Sequence, residues 1–111
     1  MIHVLFYREA GAIVEFWVSG HAGLAPHGQD VLCAAVSALT QATLIGLEEV
    51  LGLRVDAEVD DADGKLRCRL PAAVPGDRRD GAAVLTETLL RSLRSIQAGY
   101  PDHVQIREVH R

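Results

Sequence analysis

The chain has 111 residues, 49% of them hydrophobic and 23% charged, with a formal net charge of −4. That balance excludes a disordered chain, and the length leaves little room for a second domain, so we expect one domain over residues 1–111 around one modest core. The Lys and Arg residues are scattered and form no basic stripe, so no direct nucleic-acid partner is expected.

Residues 1–11, MIHVLFYREAG, carry neither a basic leader nor a long apolar run, which predicts a first strand and no membrane association. Ile2, Val4 and Phe6 alternate onto one face over residues 2–7, as do Val14, Phe16 and Val18 over residues 13–18. The intervening REAGA makes the two a hairpin. Residues 31–51 contain no proline and are dense in Ala, Leu and Val, with Asp30 as a candidate N-cap and Gly52 as a stop, which predicts a helix. Its apolar residues surround the helix instead of forming one stripe, which implies two burying surfaces. One is the sheet and the other a second subunit, so a homodimer is expected.

Residues 54–60 and 65–70 alternate charged and apolar residues on either side of DADG, predicting a second hairpin with acidic residues facing basic ones. A second helix is predicted over residues 80–98, with Leu85, Leu89, Leu93 and Ile96 on one stripe and Gly99 and Pro101 beyond its end. Val104 and Ile106 suggest a last strand. The order ββαββαβ predicts a two-layer α/β domain with a largely antiparallel sheet and two helices packed on one face.

Residues 19–37, SGHAGLAPHGQDVLCAAVS, carry the chemistry. If Asp30 caps the helix, Cys33 lies in its first turn, where free N–H groups and the dipole favour a thiolate, partly opposed by the Asp30 carboxylate. His21 follows Gly20 at the end of the second strand, and the loop over residues 22–29 leads back to the helix start. That juxtaposition suits a Cys-His pair, with His21 taking the thiol proton and returning it to a leaving amine. First-turn N–H groups, that of Cys33 included, can hold an oxyanion. Gly20, Gly23 and Gly28 suit close backbone approach or loop movement. On spacing alone, a buried structural Cys33 beside a loop-stabilising His21 remains open.

His21, His27 and Cys33 are competent zinc ligands, but their spacing fits no common finger and no fourth ligand is evident, so neither a metal nor a cofactor is expected. The loop also lacks the lysine of a phosphate-binding loop. Cys68 alternates inward with Leu66 and Leu70 and reads as a small buried hydrophobe, and Trp17, on a strand face with Ile13 and Glu15, reads as packing. His3, His103 and His110 stand in no grouping that marks a function. Two unrelated cysteines fit a reduced, cytoplasmic protein.

Gly20-His21-Ala22, followed by Gly28-Gln29-Asp30-Val31-Leu32-Cys33-Ala34-Ala35-Val36-Ser37, resembles the signature of the ribosomal-processing cysteine protease family, Prp. The resemblance is specific over residues 18–53. It implies a dimeric α/β domain that removes a short N-terminal extension from large-subunit ribosomal protein twenty-seven, supporting ribosome maturation. It also implies Cys33 as nucleophile and His21 as general base. Asp30 matches an acidic position of the family, as helix cap or as the group orienting His21, and Ser37, one turn beyond Cys33, matches the substrate-binding region. Leu32 stands where the family often has a β-branched residue, and Pro26 stiffens the loop. The competing reading is a non-catalytic ribosome-assembly or peptide-binding module.

Overall fold

The computed structural model describes residues 1–26, 30–60, 62 and 64–111. Strands β1 (Ile2–Glu9) and β2 (Ala12–Ser19) form the first hairpin, and β3 (Asp56–Asp60) and β4 (Lys65–Arg69) the second. Helix α1 (Val31–Ile45) lies between the hairpins, and helix α2 (Arg79–Gly99) precedes strand β5 (Val104–His110). The five strands are ordered β3-β4-β2-β1-β5. Every hairpin pairing is antiparallel, whereas β5 lies parallel to β1, so the sheet is mixed. The parallel edge follows from α2, which carries the chain across the sheet before β5 begins.

Ile2, Val4 and Phe6 of β1 are buried with Phe16 and Val18 of β2 and Leu66 and Cys68 of β4, and this face packs against Leu32, Val36, Leu89 and Leu93 of the helices. The element order ββαββαβ and the two-layer packing agree with the alternation read from the sequence. Two details differ. The β1–β2 register shifts between Tyr7 and Arg8, so that Tyr7 opposes Glu15 while Arg8 opposes Ile13, leaving Val14 as a bulge. The bulge reverses the alternation, and Ile13 joins the core in place of Val14.

For the same reason Trp17 shares its face with Glu15 and not with Ile13. On that open face Glu15 is only 2% exposed. It accepts hydrogen bonds from Trp17 Nε1, from Arg69 Nε at 3.0 Å and from Arg111 Nη2 at 3.4 Å. Burial, the largest influence, pushes its carboxyl up, but Trp17, Arg69 and Arg111 together hold it below the usual range.

The first helix runs to Val50, within one residue of the sequence expectation, but it changes form on the way. Regular α1 ends at Ile45, and residues 46–50 form a widened turn, closed where the Leu51 N–H donates to Gly46 O at 2.9 Å. Gly46 sits against α2, where a Cβ would come within 2.9 Å of the Leu85 side chain, so a glycine there lets the helices approach closely. Inward, α1 presents Leu32, Val36, Thr40 and Thr43, and Thr40 Oγ1 donates to Val36 O at 3.0 Å, so its buried hydroxyl is satisfied within the helix.

The bulge predicts an asymmetry between neighbours. Ile13→Ala should destabilise the fold by about 2–5 kcal/mol, and Val14→Ala by under about 1 kcal/mol, read from urea midpoints at constant m. Equal losses would contradict the register. The depressed Glu15 carboxyl also sets an acid dependence. Its stabilisation is present above the unfolded carboxyl value, about 4.3, and is lost as pH falls through the lower folded value. Glu15→Gln should therefore flatten the acid limb of stability against pH, measured by thermal melts.

Candidate active site

Strand β2 delivers the chain to Gly20, whose φ is +88° and whose backbone runs so close to the first residue that a Cβ would lie 2.4 Å from Met1 O. His21 follows, exposed, and its Nδ1 lies 4.0 Å from Cys33 Sγ, at the limit for a sulfur hydrogen bond. Cys33 is half-buried, and the Ala22 N–H donates to its sulfur at 3.1 Å. The end of β2 and the start of α1 thus lie side by side, the juxtaposition that suits a Cys-His pair. Gly28 and His27 lie outside the described residues.

Asp30 caps α1. Its Oδ1 accepts from the N–H groups of Leu32 and Cys33, both at 3.0 Å, and its Oδ2 accepts from Leu24 N–H at 2.9 Å. The Cys33 N–H above all, with those of Leu24, Ala25 and Leu32, holds the Asp30 carboxyl below the usual range against the effect of burial. Both carboxylate oxygens are committed to the backbone, which assigns Asp30 geometrically to the cap. The same geometry corrects an expectation: the Cys33 N–H donates to Asp30 and is not free to receive an oxyanion.

The hairpin β3–β4 closes over the pair. Gly64, at φ +60°, lies so near the imidazole that a Cβ there would sit 2.8 Å from His21 Cε1 and 2.7 Å from Gly20 O. No side chain fits that contact. DADG announces a turn in the sequence, but nothing in it tells which ring the turn will meet.

Between α1 and this hairpin runs a groove of about 380 Å³ that contains both His21 and Cys33. Its helix side carries Ser37, Thr40 and Gln41, and its hairpin side Val59, Lys65 and Leu66. Ser37 lies where a residue one turn beyond Cys33 must, and its Oγ accepts from Gln41 Nε2 at 2.7 Å. Gln41 and Val59 were not singled out from the sequence, because the groove exists only once helix and hairpin have docked. Cys68 is elsewhere: fully buried, it has its thiol pushed up to about 12 by desolvation. Among the described residues no group of three or more His, Cys, Asp or Glu could hold a metal ion.

The family described as Cysteine protease Prp matches residues 1–105. The ribosomal processing cysteine protease Prp of Bacillus subtilis is 28% identical over 94 residues, covering 85% of this chain and 84% of the relative. That of Staphylococcus aureus is 24% identical, covering 89% and 90%. Among solved structures, the S. aureus protease with a covalently linked product peptide superposes with a TM-score of 0.85 at 24% identity, covering 97% of this chain and 99% of that one. SMU.848 from Streptococcus mutans gives 0.84 at 25% identity, covering 100% and 96%.

Burial separates the two thiols. Iodoacetamide should modify Cys33 in the folded protein and Cys68 only after denaturation, as read by peptide mass spectrometry. Gly64→Ala, which forces the turn or the imidazole to move, should slow Cys33 labelling by roughly tenfold or more. Labelling of Cys68 at the Cys33 rate, or an unchanged Cys33 rate in Gly64→Ala, would contradict this geometry.

Proposed function

This chain belongs to the Cysteine protease Prp family and is a peptide hydrolase, and from that premise we propose that it cuts through a Cys33–His21 dyad and removes the N-terminal extension of large-subunit ribosomal protein twenty-seven. The observation that carries the reading is the 4.0 Å approach of Cys33 Sγ to His21 Nδ1, inside a groove of about 380 Å³ between α1 and the β3–β4 hairpin. The thiolate of Cys33 attacks the scissile carbonyl carbon, His21 gives its proton to the departing amine, and a water deprotonated by His21 then releases the acyl group. The Ala22 N–H at Cys33 Sγ favours the charged nucleophile, because a thiolate accepts a hydrogen bond far better than a thiol.

The ribosomal substrate is supported by the names of the relatives, each a ribosomal processing protease, and by the S. aureus structure solved with a substrate peptide. Ser37 and Gln41 offer polar contacts to a peptide backbone, while Val36, Val59 and Leu66 offer apolar ones to its side chains. In this reading Asp30 supports the site as the helix cap, and Gly20 lets the His21 segment approach the first strand.

A homodimer forms part of the same proposal. The outward side of α1 is apolar, with Val31 79% exposed, Ile45 52% and Val50 79% beyond it. A second copy would cover that side, and its burial would supply the second surface that the helix composition calls for. The free thiols fit the reducing cytoplasm.

The test is intact-mass analysis of the extended ribosomal precursor after incubation with wild type, Cys33→Ala and His21→Ala. Wild type should release one discrete N-terminal peptide, Cys33→Ala none, and His21→Ala should be slower by about 10²–10⁴. Cleavage by Cys33→Ala would remove the nucleophile assignment, and an intact precursor with a wild type that still labels at Cys33 would remove the substrate assignment.

A further inference from the structure

The residue that ties the dyad to the far end of the chain is His103. It opens the path into β5, and its backbone is held on both sides: its N–H donates to Tyr100 O at 3.0 Å, and its carbonyl accepts from Ile2 N–H at 2.8 Å. The ring therefore emerges from a fixed point, where the turn after α2 meets the start of β1. From there, half-buried, its Nδ1 lies 2.9 Å from Ala22 O, across 81 positions of sequence.

Ala22 is the hub of this contact. It is 3% exposed, and its two backbone groups point to different partners: the carbonyl to His103, the N–H to Cys33 Sγ at 3.1 Å. That N–H belongs to the His21–Ala22 peptide, whose carbonyl accepts from the Met1 ammonium at 2.6 Å, and the carbonyl bonded to His103 belongs to the next peptide, so the two anchors hold Ala22 from either side of its Cα. A carbonyl oxygen only accepts, so His103 must carry its proton on Nδ1 for this bond to form. Left without that donor, the buried carbonyl would turn to find another partner, and because its peptide and that of the N–H meet at the Ala22 Cα, the turn would shift Ala22 and lengthen its N–H hydrogen bond to the sulfur.

We infer that His103 is a positioning residue of the protease, one that fixes Ala22 through a donated Nδ1–H bond and thereby aims the Ala22 N–H at the Cys33 thiolate. It touches neither substrate nor the reacting atoms. The inference rests on the Cys33–His21 reading, and its consequence is that the reactivity of Cys33 depends on a side chain from the opposite end of the chain.

The experiment compares His103→Ala and His103→Asn with wild type. The amide nitrogen of Asn reaches roughly where Nδ1 sits and can donate in its place. In His103→Ala, Cys33 alkylation at neutral pH and kcat should each fall by roughly tenfold with KM little changed, since the lost hydrogen bond acts on the charged nucleophile. His103→Asn should recover to within about threefold of wild type. The wild-type protein supplies a readout independent of any variant: the nitrogen NMR signals of neutral His103 should be those of the Nδ1–H tautomer. A folded His103→Ala with wild-type labelling, an Asn variant no better than Ala, or a proton on Nε2 alone would each overturn the inference. Alkylation reads the thiol directly, so an error in the ribosomal substrate would leave this comparison intact.

Discussion

The site depends on one carboxylate. A helix begins with N–H groups that have no partner within it, and here Asp30 takes those of Leu32 and Cys33 on one oxygen while the other holds Leu24. The loop from β2 is therefore pinned to the helix it leads into, and the distance between strand end and first turn is set. His21 is at one side of that clasp and Cys33 at the other. Because the bonds are made to an ionised carboxylate, the clasp holds above the usual carboxyl range and loosens only as pH falls through the lowered folded value. The same commitment takes the Cys33 N–H out of the pool of oxyanion donors.

The second wall of the site comes from a sheet edge. Strand β4 pairs on both sides, with β2 and with β3, so its position is rigid, and β3 lies at the sheet margin with every residue exposed. Asp56, Glu58 and Asp60 on that strand oppose Arg69, Arg67 and Lys65 on β4, and Arg67 bridges to both Asp56 and Glu58. These pairs stabilise the hairpin modestly at a solvated surface. Charged side chains along the edge also discourage another chain from adding there. Held in this way, the turn presents Gly64 to the His21 ring and Val59 to the groove.

Helix α1 faces two environments. From Val31 to Leu47 it carries no charged residue, and Val31–Val50, with a mean hydropathy of 1.6, is apolar and long enough to cross a membrane by composition alone. In the fold its inner side packs on the sheet, and outward Val31 and Ile45, with Val50 beyond, remain exposed. The absence of charge from Val31 to Leu47 means that the helix itself places no charged side chain within a turn of Cys33.

Alternation of apolar residues and the positions of Asp30, Gly52, Gly99 and Pro101 determined the number, type and order of the elements, because strand and helix periodicity and capping are local properties. That His21 and Cys33 could meet was legible from the strand, loop and capped-helix order, while spacing alone left a structural Cys33 open. The bulge at Val14 was not legible, since it depends on how β2 registers against β1, and neither was the change from regular helix to a widened turn after Ile45, where Gly46 packs against Leu85 of α2. Gly64 against the imidazole, the groove beside Ser37 and Gln41, and the reach of His103 to Ala22 belong wholly to the tertiary structure. Each joins segments remote in sequence, and no local preference of either segment carries the distance between them.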